Sequence, residues 1–217
     1  MTQSIGILGG TFDPVHYGHL KTVEHVMARV PFDRVEFVVS ARPPHRDPPV
    51  ASPLHRYAML KRALVPFPRF HANRIEIDRP GPSYTVWTLR ALRHAHPGGR
   101  WCLMLGADQY QALPSWYQWQ ELMSHVHIIV LRRAMSDAAS SSAGWGARIT
   151  DDPAQLARSD AGWVFFCDTP LIDISATAVR ACLAAGRDVR REVPAPVLDY
   201  IFEHGLYSVD KSRTHAI

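Results

Sequence analysis

The sequence predicts an α/β protein, a parallel sheet with helices on both faces. Short, mostly apolar runs at residues 5–8 (IGIL), 35–39 (VEFVV), 101–105 (WCLML), 127–131 (HIIVL) and 163–166 (WVFF) have the length and composition of buried strands. Between them, residues 20–30, 54–64, 85–94 and 119–124 carry apolar positions at helical spacing. Strands that alternate with helices imply crossover connections and a sheet buried on both sides. The expected architecture is therefore Rossmann-like.

Each segment has a local reason. The first run gives way to Gly9-Gly10, which ends a strand and lets the chain turn. Toward the C-terminus the pattern changes to two helices, residues 176–185 and 196–204, with Gly186 and Gly205 placed as stops. Residues 1–207 are expected to form a single domain whose helical end begins at about 174, followed by a disordered tail at 208–217. The stretch AMSDAASSSAGWG, residues 134–146, is small, polar and without period, as in a surface loop.

With 47% hydrophobic and 20% charged residues in 217, the chain has the balance of a globular protein rather than a disordered or fibrous one. No apolar run approaches membrane-spanning length, and the start lacks a basic-then-apolar leader, so a cytoplasmic protein without membrane association is expected. Cys102, Cys167 and Cys182 are scattered and odd in number, which argues against a disulfide framework or a cysteine metal site and for reduced core thiols. The net charge of +4 and a pI near 9.1 do not by themselves choose a partner. The arginines are dispersed rather than gathered into a stripe with aromatics, so no nucleic-acid partner is expected.

The stretch GGTFDPVHYGHL, residues 9–20, follows the first strand directly. Loops at the carboxyl ends of parallel strands are where open α/β sheets bind ligands. Glycine lets backbone N–H groups approach a phosphate, so Gly9, Gly10 and Thr11 are candidate phosphate contacts. His16 and His19, three apart at the start of a helix, share a face and can both meet one phosphate group. Taken singly, a glycine pair also serves to turn the chain, and a histidine also serves as a cap or a core residue.

The motif His16-Tyr17-Gly18-His19, in its setting, resembles the signature of the HxGH nucleotidyltransferase superfamily. That resemblance implies transfer of a nucleotidyl unit from a nucleoside triphosphate to an acceptor, with release of pyrophosphate. In-line attack at the α-phosphorus builds charge on phosphoryl oxygens, which calls for positioned donors rather than a covalent nucleophile. An acceptor phosphate is already ionised at neutral pH and needs no general base. His16 and His19 are accordingly assigned to stabilisation and positioning.

ISATAVR, residues 174–180, is similar to the ISxTxxR element that the same superfamily carries near its C-terminal end. Ser175 and Thr177 precede a helical pattern whose free N–H groups can receive an anion, although a plain N-cap with a surface arginine reads the same way. The resemblance implies that Ser175, Thr177 and Arg180 hold the β- and γ-phosphates of ATP, that Gly106 and Ile174 belong to the ATP site, and that Arg180 is catalytic beside His16 and His19.

The acceptor is narrowed by RPPHR (42–46), GPSYTVWTL (81–89), GAD (106–108) and WYQW (116–119), which together resemble bacterial nicotinate-nucleotide adenylyltransferases. The resemblance runs from about residue 5 to 207 and implies ATP and nicotinate mononucleotide as substrates. Pro43-Pro44 stiffens a loop that is placed to present His45 and Arg46 to a mononucleotide phosphate, or else forms a rigid surface turn. Trp116 is suited to stack on the pyridine ring, or else to sit in the core. Tyr84, Thr85 and Tyr117 offer main-chain donors for the carboxylate. Asp108, after Gly106 at a strand end, is implied to contact ribose hydroxyls in the ATP and acceptor sites, or else caps a helix. Arg133 or its neighbour Arg132 is a candidate for the acceptor phosphate. Arg46 and Ala176 depart from the lysine and serine that many relatives carry, which bears on substrate preference more than on reaction class. With no protein cage of metal ligands in the spacing, magnesium is expected to ride on ATP. Transfer to phosphopantetheine and a non-catalytic nucleotide-binding role are the rival readings.

Overall fold

The computed structural model describes residues 2–44, 47–133, 148–170 and 172–208. They contain a seven-stranded sheet, β1 (Ser4–Gly10), β2 (Arg34–Val39), β3 (Phe70–Asn73), β4 (Arg100–Gly106), β5 (His127–Arg133), β6 (Arg148–Thr150) and β7 (Trp163–Thr169). The order is β3-β2-β1-β4-β5-β7-β6 and every pairing is parallel. From β1 the chain runs outward to β2 and β3, then returns to place β4 on the other side of β1. The connections leaving β1 and β4 therefore diverge and open a crevice at their carboxyl ends.

Alternation along the strands builds two cores. Val35, Phe37, Val39, Cys102, Met104, Ile129, Phe165 and Cys167 point to one face. Ile5, Ile7, Trp101, Leu103, Leu105, Ile128, Val130, Val164 and Phe166 point to the other. The first face is covered by α1 (Tyr17–Arg29), α2 (Pro53–Leu64), α7 (Ala176–Ala184) and α8 (Ala195–Glu203), and the second by α4 (Thr85–Ala95) and α6 (Leu122–His125). Helix faces follow the 3.6-residue period: α1 buries Leu20, Val23 and Val26, and α4 buries Val86, Leu89 and Leu92. The two C-terminal helices thus share the core of the sheet's first face, and Gly186 (φ 66°) and Gly205 (φ 59°) take the left-handed conformation that ends each one.

Five expected strands and six expected helical segments are present, with two departures. Residues 119–124 are a 3-10 turn at Trp119–Glu121 that continues into α6 rather than one helix. The strands β3 and β6 and the short helices α3 (Ile75–Asp78) and α5 (Ala107–Gln111) carry no sequence period long enough to announce them. Cys102 and Cys167 are buried and Cys182 is half-buried, none in a disulfide. Burial pushes the Cys102 thiol up to about 12, which keeps it protonated at neutral pH. Among the described residues no helix is long and apolar enough to cross a membrane. The loop at 134–146 and, apart from Ser208, the tail lie outside the described residues.

Candidate active site

The end of β1 leads through Phe12 into α1, whose N-cap is His16. The His16 backbone N–H donates to His19 Nδ1 at 3.2 Å, and the His19 N–H returns to the His16 carbonyl at 3.0 Å. The two imidazoles lie face to face, 3.8 Å between centroids and 31° between planes, with the Phe12 ring edge-on to His19 at 5.0 Å. Gly18 permits this: a Cβ there would stand 2.8 Å from His16 Nδ1. Burial lowers the His16 pKa to about 4. Burial, and then the neighbouring His16, hold His19 well below its usual value. Both rings are neutral at pH 7. Because His19 Nδ1 accepts a hydrogen bond, its proton resides on Nε2, and His19 is a one-proton donor.

This burial links the site to stability. A histidine kept neutral in the fold contributes fully above its unfolded pKa of about 6.5 and loses that contribution as pH falls through the folded value. For His16 the loss from pH 7 to pH 4 amounts to about 3 kcal/mol. His16→Asn is expected to flatten the fall of urea midpoints over this interval. Parallel pH profiles for the two proteins would contradict the burial argument.

Two cavities meet at the crevice between β1 and β4. The first, about 320 Å³, extends from Gly9, Gly10 and Thr11 to Tyr84, Thr85, Trp116 and Tyr117. The second, about 460 Å³, is lined by His16, Gly18, His19, Gly106, Ile174 and Thr169 among others. Asp108, in the first turn of α5, borders both. Its side chain folds back over Gly106, where a Cβ would approach Asp108 Oδ1 to 2.6 Å, so a side chain at 106 would displace the carboxylate. The N-termini of α1 and α7 both reach the second cavity, through Gly18 and Ile174, and offer their partial positive charge to an anion.

The loops around the first cavity are tied together by side chains that sequence reasoning missed. Arg56 is fully buried, and its guanidinium donates to the carbonyls of Thr11 (2.6 Å), Ser40 (2.7 Å), Ala51 (3.1 Å) and Ala41 (3.4 Å). It thereby joins the loop after β1 to the loop after β2. The signal was its place on the apolar stripe of α2, with Met59, Leu60, Ala63 and Leu64. Ser83 Oγ accepts the N–H groups of Ala41 and Arg42, both at 3.0 Å, which holds the segment before α4 against the same loop. Asp13, buried, accepts from the N–H groups of Val50 (2.7 Å) and Ala51 (3.1 Å) and from the Tyr207 hydroxyl (2.7 Å).

The expected site residues are therefore distributed. His16, His19, Gly106, Asp108 and Ile174 stand together at the second cavity. Gly9, Gly10 and Thr11, expected in the ATP site, border the first cavity with Tyr84, Thr85, Trp116 and Tyr117. Ser175 Oγ caps α7 by accepting the Ala178 N–H at 3.2 Å. Arg180 Nη1 donates to the Asp13 carbonyl at 2.8 Å, and its Nη2 lies 3.4 Å from Thr177 Oγ1. Tyr84 and Tyr117 stack on each other, 4.5 Å apart, while the Thr85 N–H opens α4 and has no acceptor within that helix. His45 and Arg46 lie outside the described residues, and Arg133 is described only as the last residue of β5. Among the described residues no group of three metal-ligating side chains is gathered.

Comparison with known proteins agrees with this geometry. The cytidylyltransferase-like family model matches residues 7–182. A protein of Pseudomonas syringae named "Probable nicotinate-nucleotide adenylyltransferase" is 41% identical over 95% of each chain, and one of Methylococcus capsulatus with the same name is 39% identical over 94% of this chain and 99% of its own. The solved Plasmodium falciparum nicotinic acid mononucleotide adenylyltransferase, complexed with NaAD, superposes with a TM-score of 0.70 over 94% of this chain and 97% of its own, at 17% identity, a likeness of fold. The glycine turn and histidine pair after β1, the Asp108 junction between two cavities and this extended similarity place the chain in the cytidylyltransferase-like family, among the nicotinate-nucleotide adenylyltransferases.

Proposed function

We propose that the protein transfers AMP from ATP to nicotinate mononucleotide, giving nicotinate adenine dinucleotide and pyrophosphate. The observation that carries this reading is the pair of cavities joined at Asp108, one aromatic and largely apolar, the other flanked by two helix N-termini and the stacked histidines. Such a pair suits two nucleotides whose phosphates meet at the junction. The acceptor phosphate oxygen attacks the α-phosphorus in line, the bond to the β-phosphate oxygen breaks, and pyrophosphate leaves. His19 donates its Nε2 proton as a hydrogen bond to the phosphoryl oxygens, where charge accumulates. His16, through its backbone N–H on His19 Nδ1, keeps that donor aimed.

Arg180, with Ser175 and Thr177 at the start of α7, receives the β- and γ-phosphates. Magnesium enters on the triphosphate as part of the substrate. Asp108 takes ribose hydroxyls, and main-chain N–H groups at Tyr84, Thr85 and Tyr117 receive the nicotinate carboxylate. His45, Arg46 and Arg133 are assigned to the acceptor phosphate. Residues 1–207 act as one nucleotidyltransferase unit, in the cytoplasm where ATP is available.

The test is product formation with ATP and magnesium, offering nicotinate mononucleotide, nicotinamide mononucleotide and phosphopantetheine separately. Dinucleotide is expected fastest from nicotinate mononucleotide. Turnover of phosphopantetheine alone would leave the phosphate site standing and remove the acceptor assignment. Trp116→Ala is expected to raise KM for the pyridine mononucleotide about tenfold, in the range for losing one stacked ring, with KM for ATP nearly unchanged. Equal losses for both substrates would point to general damage instead.

A further inference from the structure

Tyr207 stands 194 residues from Asp13 in sequence, yet donates its hydroxyl to Asp13 Oδ1 at 2.7 Å in a buried setting. It does so with φ at 62°, a left-handed conformation unfavourable for a tyrosine. The turn that carries it follows Gly205, and the Leu206 N–H returns to the Ile201 carbonyl at 2.9 Å. A strained residue held at the end of the last helix, with its polar atom on one carboxylate, calls for a reason in that carboxylate.

Asp13 has two arginines near it. Arg56 is committed to four backbone carbonyls. Arg180 is held more loosely: its Nη1 donates to the Asp13 carbonyl at 2.8 Å and makes a long ion pair with Asp13 Oδ2 at 3.8 Å, and its Nη2 lies 3.4 Å from Thr177 Oγ1. The carboxylate is instead satisfied by Tyr207 and by the Val50 and Ala51 amides. A buried carboxylate with fewer donors attracts the nearest cation more strongly. Burial, and then the bond to Asp13, push the Tyr207 hydroxyl well above its usual pKa, so it remains a donor.

We propose that Tyr207 is a positioning residue for nucleotidyl transfer: by satisfying Asp13 it keeps that carboxylate from drawing Arg180 out of its long 3.8 Å pair into a close one, leaving the guanidinium for the triphosphate. This rests on the assignment of Arg180 to the β- and γ-phosphates. In Tyr207→Phe the ring remains and Oδ1 retains the Ala51 amide, but the freed acceptor draws Arg180 into a closer pair.

The test is steady-state kinetics of the full chain as Tyr207→Phe, Asp13→Asn, the double variant and Arg180→Ala, with thermal melts as the folding control. Tyr207→Phe is expected to raise KM for ATP about tenfold, with KM for the mononucleotide within about twofold. In the Asp13→Asn background the same change should alter KM for ATP less than about twofold, since a neutral amide does not capture a guanidinium. An equal loss in both backgrounds means Tyr207 acts through packing alone and overturns the proposal. If Tyr207→Phe does not melt cooperatively, the double variant against Asp13→Asn decides, and a loss above about threefold between them overturns it. A raised KM for ATP in Arg180→Ala with none in Tyr207→Phe brings down the proposal alone. An unchanged KM in Arg180→Ala brings down the phosphate assignment and the proposal with it.

Discussion

His19→Ala is expected to lower kcat by about a hundredfold to a thousandfold, the scale for removing one donor from a developing phosphoryl charge. The expectation follows from the proton's position. The His16 N–H occupies Nδ1, so the remaining proton is on Nε2, and α1 starts at the second cavity that the ring borders. The low pKa of both rings matters here. Two imidazolium ions stacked at 3.8 Å would repel, whereas two neutral rings can keep one oriented donor without that cost. KM for the pyridine mononucleotide should change little, since the first cavity does not include His19. His19→Asn, which keeps an N–H donor of shorter reach, should recover part of the loss. A kcat for His19→Ala within about threefold of wild type, against the hundredfold typical of such donors, would remove His19 from the mechanism.

Arg56→Met is expected to destabilise the protein by about 3–5 kcal/mol, since several buried carbonyls lose their donor at about 1–3 kcal/mol each and part of that is recovered by relaxation. The side chain is fully buried, with four carbonyls directed at it. Methionine fills much of the volume and none of the bonds, so carbonyls of two loops lose their donor together. For a chain of this size the melting temperature should fall by roughly 10 °C. Arg56→Lys should recover only part of this, because an ammonium has three donors and no planar fork to span four acceptors. The same loss loosens Thr11 and Ser40, which border the first cavity, so KM for the mononucleotide should rise before the protein unfolds. Calorimetry within about 2 °C of wild type for Arg56→Met, less than one such kcal/mol, would mean that the loops find other donors.

These expectations divide into what the chain announces locally and what it does not. Strands β1, β2, β4, β5 and β7 were legible because short, mostly apolar runs mark a strand that is buried on both faces. Strand β3 buries only Phe70 and the edge strand β6 buries nothing, so neither has a pattern to read. The short helices α3 and α5 span about one turn, below the length at which a period emerges. The 119–124 segment had a helical composition, yet Gln118 at φ 51° forces the chain to begin again as a 3-10 turn.

The site follows the same division. The sequence by itself determined the strand–glycine–helix order, the spacing that puts His16 and His19 on one turn, and the stops of the last two helices. These depend on residues within one or two turns of each other, where spacing and conformation are coupled directly. Only the tertiary structure decided that Gly9 and Gly10 line the first cavity, that Asp108 borders both cavities, and that Arg56 and Tyr207 hold the loops around them. An arginine on the apolar stripe of α2 and a tyrosine past the last helix have no local partner. Their roles come from carbonyls and a carboxylate that folding delivers from distant segments, Asp13 lying 194 residues from Tyr207. A buried polar group must be satisfied wherever the chain brings a partner, and spacing along the sequence does not record that meeting.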